Sequence, residues 1–469
     1  MPTLIPLTGS SPLTEKLFVR IAEGSVMSVS NPAFRLTEVT ASYRYINGKQ
    51  LTDEELTILT SMNEKYAHSV AGNKHVIVTI KLDATNHKFV GLEPISEFRN
   101  HFLHESKVAG LNRGVAWLQW SGKRFFPGGL GYYPNEQECP LNKLNMFLGF
   151  AVEPLFGDVQ PYINHVQQVI ANGDLAIADY ILDFLAHLIQ KPYEKPSVAI
   201  VMKSEQGAGK GSLMKPLQQM LGSNFAQTNG AYLVTGRFNT ALCNKLVVFA
   251  DEVDLTHNKT ADKLKAIISE DTVFLEQKGI DPVVFPNYAR LIFASNHETV
   301  LKAGRSERRY LVLEPSSHVA QDKEYFNQFY DWLNNNGASH LLYFLLKRDI
   351  TGFDPRRAPV TDALKQEILS NLSIMDEYIL HELQKELPFG APRATPEDVR
   401  LRLEDYLAMR NLAPESEPQL RSKIGKALQR LNALKTGKRG VNLMYQFPEP
   451  KEMRLQFAKK LGVHPDDLF

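Results

Sequence analysis

A chain of 469 residues with 43% hydrophobic and 22% charged residues has room for about three globular domains, which excludes disordered and fibrous classes. Its 53 basic residues nearly balance 52 acidic ones, so any nucleic-acid contact must come from local basic features and not from a whole-chain positive field. Two distant cysteines, Cys139 and Cys243, exclude a disulfide framework, and no signal peptide or apolar run of about 20 residues is visible; the expectation is a soluble cytoplasmic protein with no membrane partner.

Residues 1–140 read as an α+β domain of short strands, with residues 74–81 (KHVIVTIK) the clearest strand and Gly72-Asn73 a turn before it. Trp117, Trp120, Lys123, Arg124, Phe125 and Phe126 interleave aromatic and basic side chains. Such a mix can stack bases, but beside a turn at Pro127-Gly128-Gly129 the edge of a core is the favoured reading. Residues 141–196 read as a helical linker or collar, with apolar spacings of three and four over 162–171 and 176–189.

Residues 197–315 read as a P-loop ATPase core built on a parallel sheet, because apolar strands alternate with helical stretches. The segment SVAIVMKSEQGAGKGSLM, residues 197–214, is a buried strand that breaks through glycines into a helix. That is the context in which backbone N–H groups and a helix N-terminus wrap a phosphate chain. Gln206, Gly207, Ala208, Gly209, Lys210, Gly211 and Ser212 are the expected ATP contacts, with Lys210 the point charge at the β/γ end. The loop departs from G-x-x-x-x-G-K-[ST] twice. Ser204 stands where the first glycine belongs, and Gly211 moves the hydroxyl to Ser212, which leaves its metal-ligand role open. Strands over 245–250 and 290–294 end in Asp251-Glu252 and Ser295-Asn296. Asp251, with Ser212, is placed for Mg2+, Glu252 for polarising a water, and Asn296 for the γ-phosphate or that water. By itself this loop form fits nucleotide or small-molecule kinases as well as motors.

Helices follow over 316–392, and prolines at 388, 392 and 396 mark a boundary. Residues 393–469 show helix, basic helix, basic glycine turn and strand, the order of a winged-helix domain with a tail. Arg421, Lys423, Lys426 and Arg430 on the second helix, with Lys435, Lys438 and Arg439 in the turn, would be its DNA phosphate contacts. A solvated basic face on a protein-docking domain is the alternative.

Residues 263–296, KLKAIISEDTVFLEQKGIDPVVFPNYARLIFASN, with Gly304-Arg305-Ser306-Glu307-Arg308-Arg309-Tyr310, resemble superfamily 3 helicases. More narrowly, they are similar to the helicase module of phage and plasmid primase-helicases and phage primase-polymerases. Residues 236–239, 145–150 and 353–361 extend the resemblance over about 110–375. It implies an AAA+-like ATPase in a multidomain α/β chain that forms a homo-hexamer on single-stranded and forked DNA and translocates 3′ to 5′. A hairpin would carry Lys278 into the ring's channel, and Arg308 or Arg309 would reach the neighbouring subunit's ATP. Residues 1–140 hold no acidic cluster suited to a primase or polymerase, so the chain resembles the helicase half alone, with a separate primase or polymerase as a possible partner. An origin-binding initiator ATPase is a further alternative, motivated by the basic C-terminal unit.

Overall fold

The computed structural model describes residues 43–469 apart from 85, 231–241, 257, 278–279, 298, 302–307, 414–415 and 438–442. In the N-terminal part, strands β1 (Ala67–Ala71), β2 (Lys74–Leu82), β3 (Lys88–Pro94) and β4 (Phe125–Phe126) form a sheet in the order β3-β2-β1-β4. Gly72, at φ +58°, opens the two-residue turn between β1 and β2, where a primed hairpin turn needs positive φ. Helices α1 (Asp53–Lys65), α2 (Ile95–Asn100) and α3 (Arg113–Gln119) supply the core over this sheet. Trp117 and Trp120 lie in that core. Their indole N–H groups donate to Asn63 Oδ1 and Tyr43 O, both at 2.8 Å. Both tryptophans are therefore packing residues and not a platform for bases.

The collar consists of α4 (Gln160–Asn164), which widens into a π turn over His165–Ile170, and α5 (Leu175–Gln190). One continuous helix is expected over 162–171, and the observed wide turn is the difference. Such turns recur at functional sites, and this one carries a buried histidine. The Asp174 carboxylate caps α5 by accepting from Ala176 N and Ile177 N.

The central part runs β5 (Ala199–Lys203), α6 (Lys210–Leu221), β6 (Phe225–Asn229), β7 (Val247–Asp251), α7 (Asn258–Ser269), the separate antiparallel hairpin β8 (Thr272–Gln277) and β9 (Ile280–Pro286), then β10 (Arg290–Ser295) and β11 (Tyr310–Leu313). Five strands run parallel in the order β6-β7-β10-β5-β11. Both faces are covered, which is why these strands are continuously apolar instead of alternating. Ile200, Met202, Phe249, Ile292 and Leu311 pack against the collar, α6, α8 (Lys323–Trp332) and α9 (Ala338–Lys347). Val201, Val248, Phe293 and Val312 share a core with the C-terminal helices. Asp251 is the last residue of its strand, not the residue after it, because it pairs with Asn229 and its carbonyl accepts from Gly230 N at 2.6 Å.

Arg290, only 1% exposed at the start of β10, holds the collar's exit in place. Its guanidinium donates to Lys191 O at 3.1 Å, Glu194 O at 2.8 Å and His187 Nδ1 at 3.2 Å. A buried guanidinium needs this many acceptors, since an unpaired one would be strongly destabilising.

The C-terminal part runs α10 (Asp362–Ser370), α11 (Ile374–Leu383), β12 (Arg393–Ala394), α12 (Pro396–Met409), α13 (Glu417–Arg430), β13 (Leu434–Thr436), β14 (Met444–Gln446) and α14 (Pro450–Leu461). Its small antiparallel sheet has the order β12-β14-β13. No helix among the described residues is long and apolar enough to cross a membrane.

Candidate active site

The glycine loop lies at the carboxyl end of β5. Gly207 and Gly209 have φ +87° and +91°, a backbone that L side chains rarely adopt. At Gly209 space is also limiting, because a Cβ would stand 2.7 Å from His165 Cε1. The loop delivers the chain into α6, where the Ser212 and Leu213 N–H groups donate back to Gly209 O at 3.0 and 3.3 Å and the positive end of the helix dipole favours incoming anions.

Lys210 Nζ folds back over this loop. It donates to Ser204 O at 2.5 Å, Glu205 O and Ser295 O at 3.2 Å, and Asn296 Oδ1 at 2.8 Å. The last two acceptors come from the end of β10, so the ammonium ties two neighbouring strand ends together. Burial pulls its pKa below the ordinary lysine value, and the Asp251 carboxylate pulls it back up.

A cavity of about 360 Å³ opens here, lined by residues 206–212, Lys215, Asp251, Glu252, Asn296, Phe326 and Tyr330. The structure thus brings together all seven loop residues named from the sequence with Asp251, Glu252 and Asn296. Glu252 is exposed with φ +52°, and its N–H donates to Asp251 Oδ1 at 3.0 Å. A non-glycine residue held in this region costs on the order of 1 kcal/mol and is typical of functional strand ends. Among the described residues no group of three or more His, Cys, Asp or Glu could hold a metal ion. The available donors are hard oxygens, the Asp251 carboxylate and the Ser212 hydroxyl. This set suits Mg2+, which takes one or two protein oxygens and completes its shell with water and substrate phosphates. The Ser212 hydroxyl is 3.1 Å from Tyr330 Oη.

Other sequence-named residues lie elsewhere. Arg308 and Arg309 immediately precede β11, whose Tyr310 pairs with Ala199 at the amino end of the sheet, opposite the glycine loop. Arg308 is exposed, while Arg309 Nε donates to Ser269 Oγ at 3.0 Å. Arg421, Lys423 and Lys426 are exposed on α13, where Arg421 pairs with Glu417 at 2.5 Å and Glu397 at 3.4 Å. The β8–β9 hairpin is present, but Lys278, which falls between its strands in sequence, lies outside the described residues, as do Lys438 and Arg439.

Sequence reasoning passed over His165, Tyr325, Phe326, Tyr330 and Lys215. His165 is fully buried; its Nε2–H donates to Gly209 O at 3.1 Å and its Nδ1 accepts from Tyr325 Oη at 2.9 Å. This assigns the neutral tautomer from its partners. Burial pushes its pKa down to about 4, partly opposed by the Gly209 hydrogen bond. The unfolded value is about 6.5, so as pH falls the unfolded chain takes up this proton first. The associated stability is complete above pH 6.5 and is lost between 6.5 and about 4, with about 2 kcal/mol gone at pH 5. In urea unfolding at pH 7.5 and pH 5, His165→Gln should narrow the stability gap by that amount, and an unchanged gap would contradict this role.

Residues 202–309 match a family of unknown function (DUF5906). The DNA primase-polymerase of Nitratiruptor phage NrS-1 is 24% identical over 240 residues, covering 48% of this chain and 32% of that protein. The chain therefore spans about a third of the length of this relative. An apo structure of the NrS-1 C-terminal region superposes with a TM-score of 0.65 at 16% identity, covering 84% of this chain and 99% of that chain. Its A form gives 0.62 at 16% identity over 83% and 98%. In fold this chain is similar to that phage region, a mixed α/β assembly around a five-stranded parallel sheet.

Proposed function

We propose that this chain is an ATP-dependent, ring-forming DNA helicase module that serves replication of a phage, plasmid or other mobile element. The observation that carries the proposal is the convergence of Lys210, Asp251, Glu252 and Asn296 on the cavity of the glycine loop. Phosphoanhydride hydrolysis needs a phosphate cradle, a metal-binding carboxylate, a group that polarises water and a γ-phosphate sensor, and these four residues match those tasks. Residues 206–212 hold ATP, and Asp251 and Ser212 hold Mg2+, which neutralises charge on the phosphates. The strand order, with β10 between the glycine-loop strand and the acidic strand, supports an AAA+-like motor.

The placement of Arg308 and Arg309 supports a shared site. At the far end of the sheet they cannot serve their own chain's cavity, whereas a cation from the next subunit would stabilise transition-state charge and couple hydrolysis to the ring. A homo-hexamer is the assembly this reading requires. Lys278 would contact single-stranded DNA in the channel. The helix, helix and hairpin of the C-terminal part support a winged-helix unit whose Arg421, Lys423, Lys426, Lys438 and Arg439 touch DNA phosphates. Likeness to a phage primase-polymerase supports a place in phage DNA replication.

The test is ATP hydrolysis with and without forked DNA, combined with strand displacement. DNA-stimulated hydrolysis and unwinding are expected. Transfer of phosphate to an added acceptor would instead establish a kinase, and duplex binding without unwinding would establish an initiator.

A further inference from the structure

The first turn of α6 divides the cavity at the glycine loop. Lys210 and Ser212 are two residues apart on that helix, so their side chains leave it in directions about 200° apart. Lys210 Nζ turns to Ser295 O and Asn296 Oδ1 at the end of β10, whereas the Ser212 hydroxyl meets Tyr330 Oη of α8 at 3.1 Å. The charged and amide groups of the strand ends thus lie to one side of the turn, and α8 to the other. Phe326 and Tyr330, four residues apart on α8, both line the cavity from that side. The helix that carries them is pinned at both ends, because His165 holds Tyr325 and Trp332 Nε1 donates to Asp158 O at 2.7 Å. Ring faces offer little to a phosphate chain, but they are a ready surface for a flat heterocycle.

We infer that Phe326 and Tyr330 form the nucleoside wall of this cavity, so that a base lies against their rings while its triphosphate follows the glycine loop, and the site takes the base by its face and not by its edge. The inference rests on the reading of this cavity as a metal–nucleotide site. Along this side the described residues supply the two rings, the Ser212 hydroxyl that already faces Tyr330, and the exposed ammonium of Lys215. One flexible cation is not the matched set of donors and acceptors that reads a base edge. Every base has a π face, so stacking accepts purines and pyrimidines alike. The substrate class is nucleoside triphosphates in general, ATP among them.

The experiment titrates the full chain calorimetrically, in Mg2+, with a non-hydrolysable ATP analogue and with inorganic tripolyphosphate, and then compares hydrolysis of ATP, GTP, CTP and UTP. Phe326→Ala should weaken binding of the analogue about tenfold more than binding of tripolyphosphate, the usual loss when a stacking ring is removed. Phe326→Leu keeps apolar bulk without a ring and should show most of the same difference, which keeps the test sound if the alanine variant folds poorly; Phe326→Tyr, which keeps the ring, should show little. Equal losses for the two ligands in Phe326→Leu overturn the inference. In wild type, kcat/KM should vary across the four nucleotides by less than about 10², the limit of selection by apolar contact alone, and a larger preference means that the base edge is read and overturns it as well. If wild type binds tripolyphosphate and the analogue no more tightly, the inference fails alone; if it binds neither, the reading of the cavity fails first.

Discussion

Replacing Lys210 by alanine should lower ATP hydrolysis by a factor of at least about 10² to 10³, the usual loss when one preorganised group that stabilises transition-state charge is removed. The ammonium is already held at the loop by Ser204 O, Glu205 O, Ser295 O and Asn296 Oδ1 before any ligand arrives. On the proposed reading such a cation needs little reorganisation to meet β- and γ-phosphate oxygens, which would be the source of its catalytic value. Alanine also leaves these four acceptors without their shared donor. Melting temperature should therefore be recorded beside activity, and Lys210→Met, which keeps the apolar stem, separates the charge from the packing. The expected result is that both variants lose hydrolysis while Lys210→Met keeps more stability. Substantial hydrolysis by Lys210→Met would remove the lysine from the mechanism.

The cradle is legible in the sequence because its determinants are local. Glycines within a few residues of Lys210 announce the turn, and an apolar β-branched run announces the strand before it. Asp251 and Asn296 are legible for a related reason, since each ends a continuous apolar segment of the kind that parallel sheets bury on both faces. The parallel sheet and the helical collar are visible through the same patterns. What supports the cradle is not legible. His165 and Tyr330 reach it across 44 and 118 residues, and each sits in a segment that reads as an ordinary amphipathic helix. Nothing in a periodic pattern distinguishes a tyrosine that packs from one whose hydroxyl meets the glycine-loop serine. The aromatic run near Trp117 shows the converse case. Its composition admits base stacking as well as the favoured core packing, and the burial of both indoles, with each N–H satisfied, decides for the core.

Glu367 is the position at which a single substitution should cost the most stability. It lies on α10, where the sequence suggests only another helical glutamate, yet its side chain is fully buried. Its carboxylate accepts from Val300 N at 3.1 Å, Leu301 N at 3.0 Å and Lys203 Nζ at 3.3 Å. Lys203 is the last residue of the strand before the glycine loop, and Val300 and Leu301 follow the strand that ends near Asn296. One carboxylate therefore fastens the C-terminal helices to both walls of the candidate site. Alanine at 367 would strand a largely buried ammonium and two buried N–H groups, a loss of about 3–5 kcal/mol by the usual cost of breaking a buried pair. Glutamine keeps a carbonyl for the N–H groups but leaves the Lys203 charge uncompensated, so its cost should be intermediate. Equilibrium urea unfolding of the three proteins measures this order directly. Nucleotide affinity should fall along the same series, because the strand ends that Glu367 holds lead into the loop of Lys210 and into Asn296, which line the cavity. If Glu367→Ala cost less than about 1 kcal/mol, the carboxylate would be incidental to the fold. If it cost the full amount while nucleotide affinity stayed at the wild-type value, the C-terminal helices would stabilise the central sheet without shaping the candidate site.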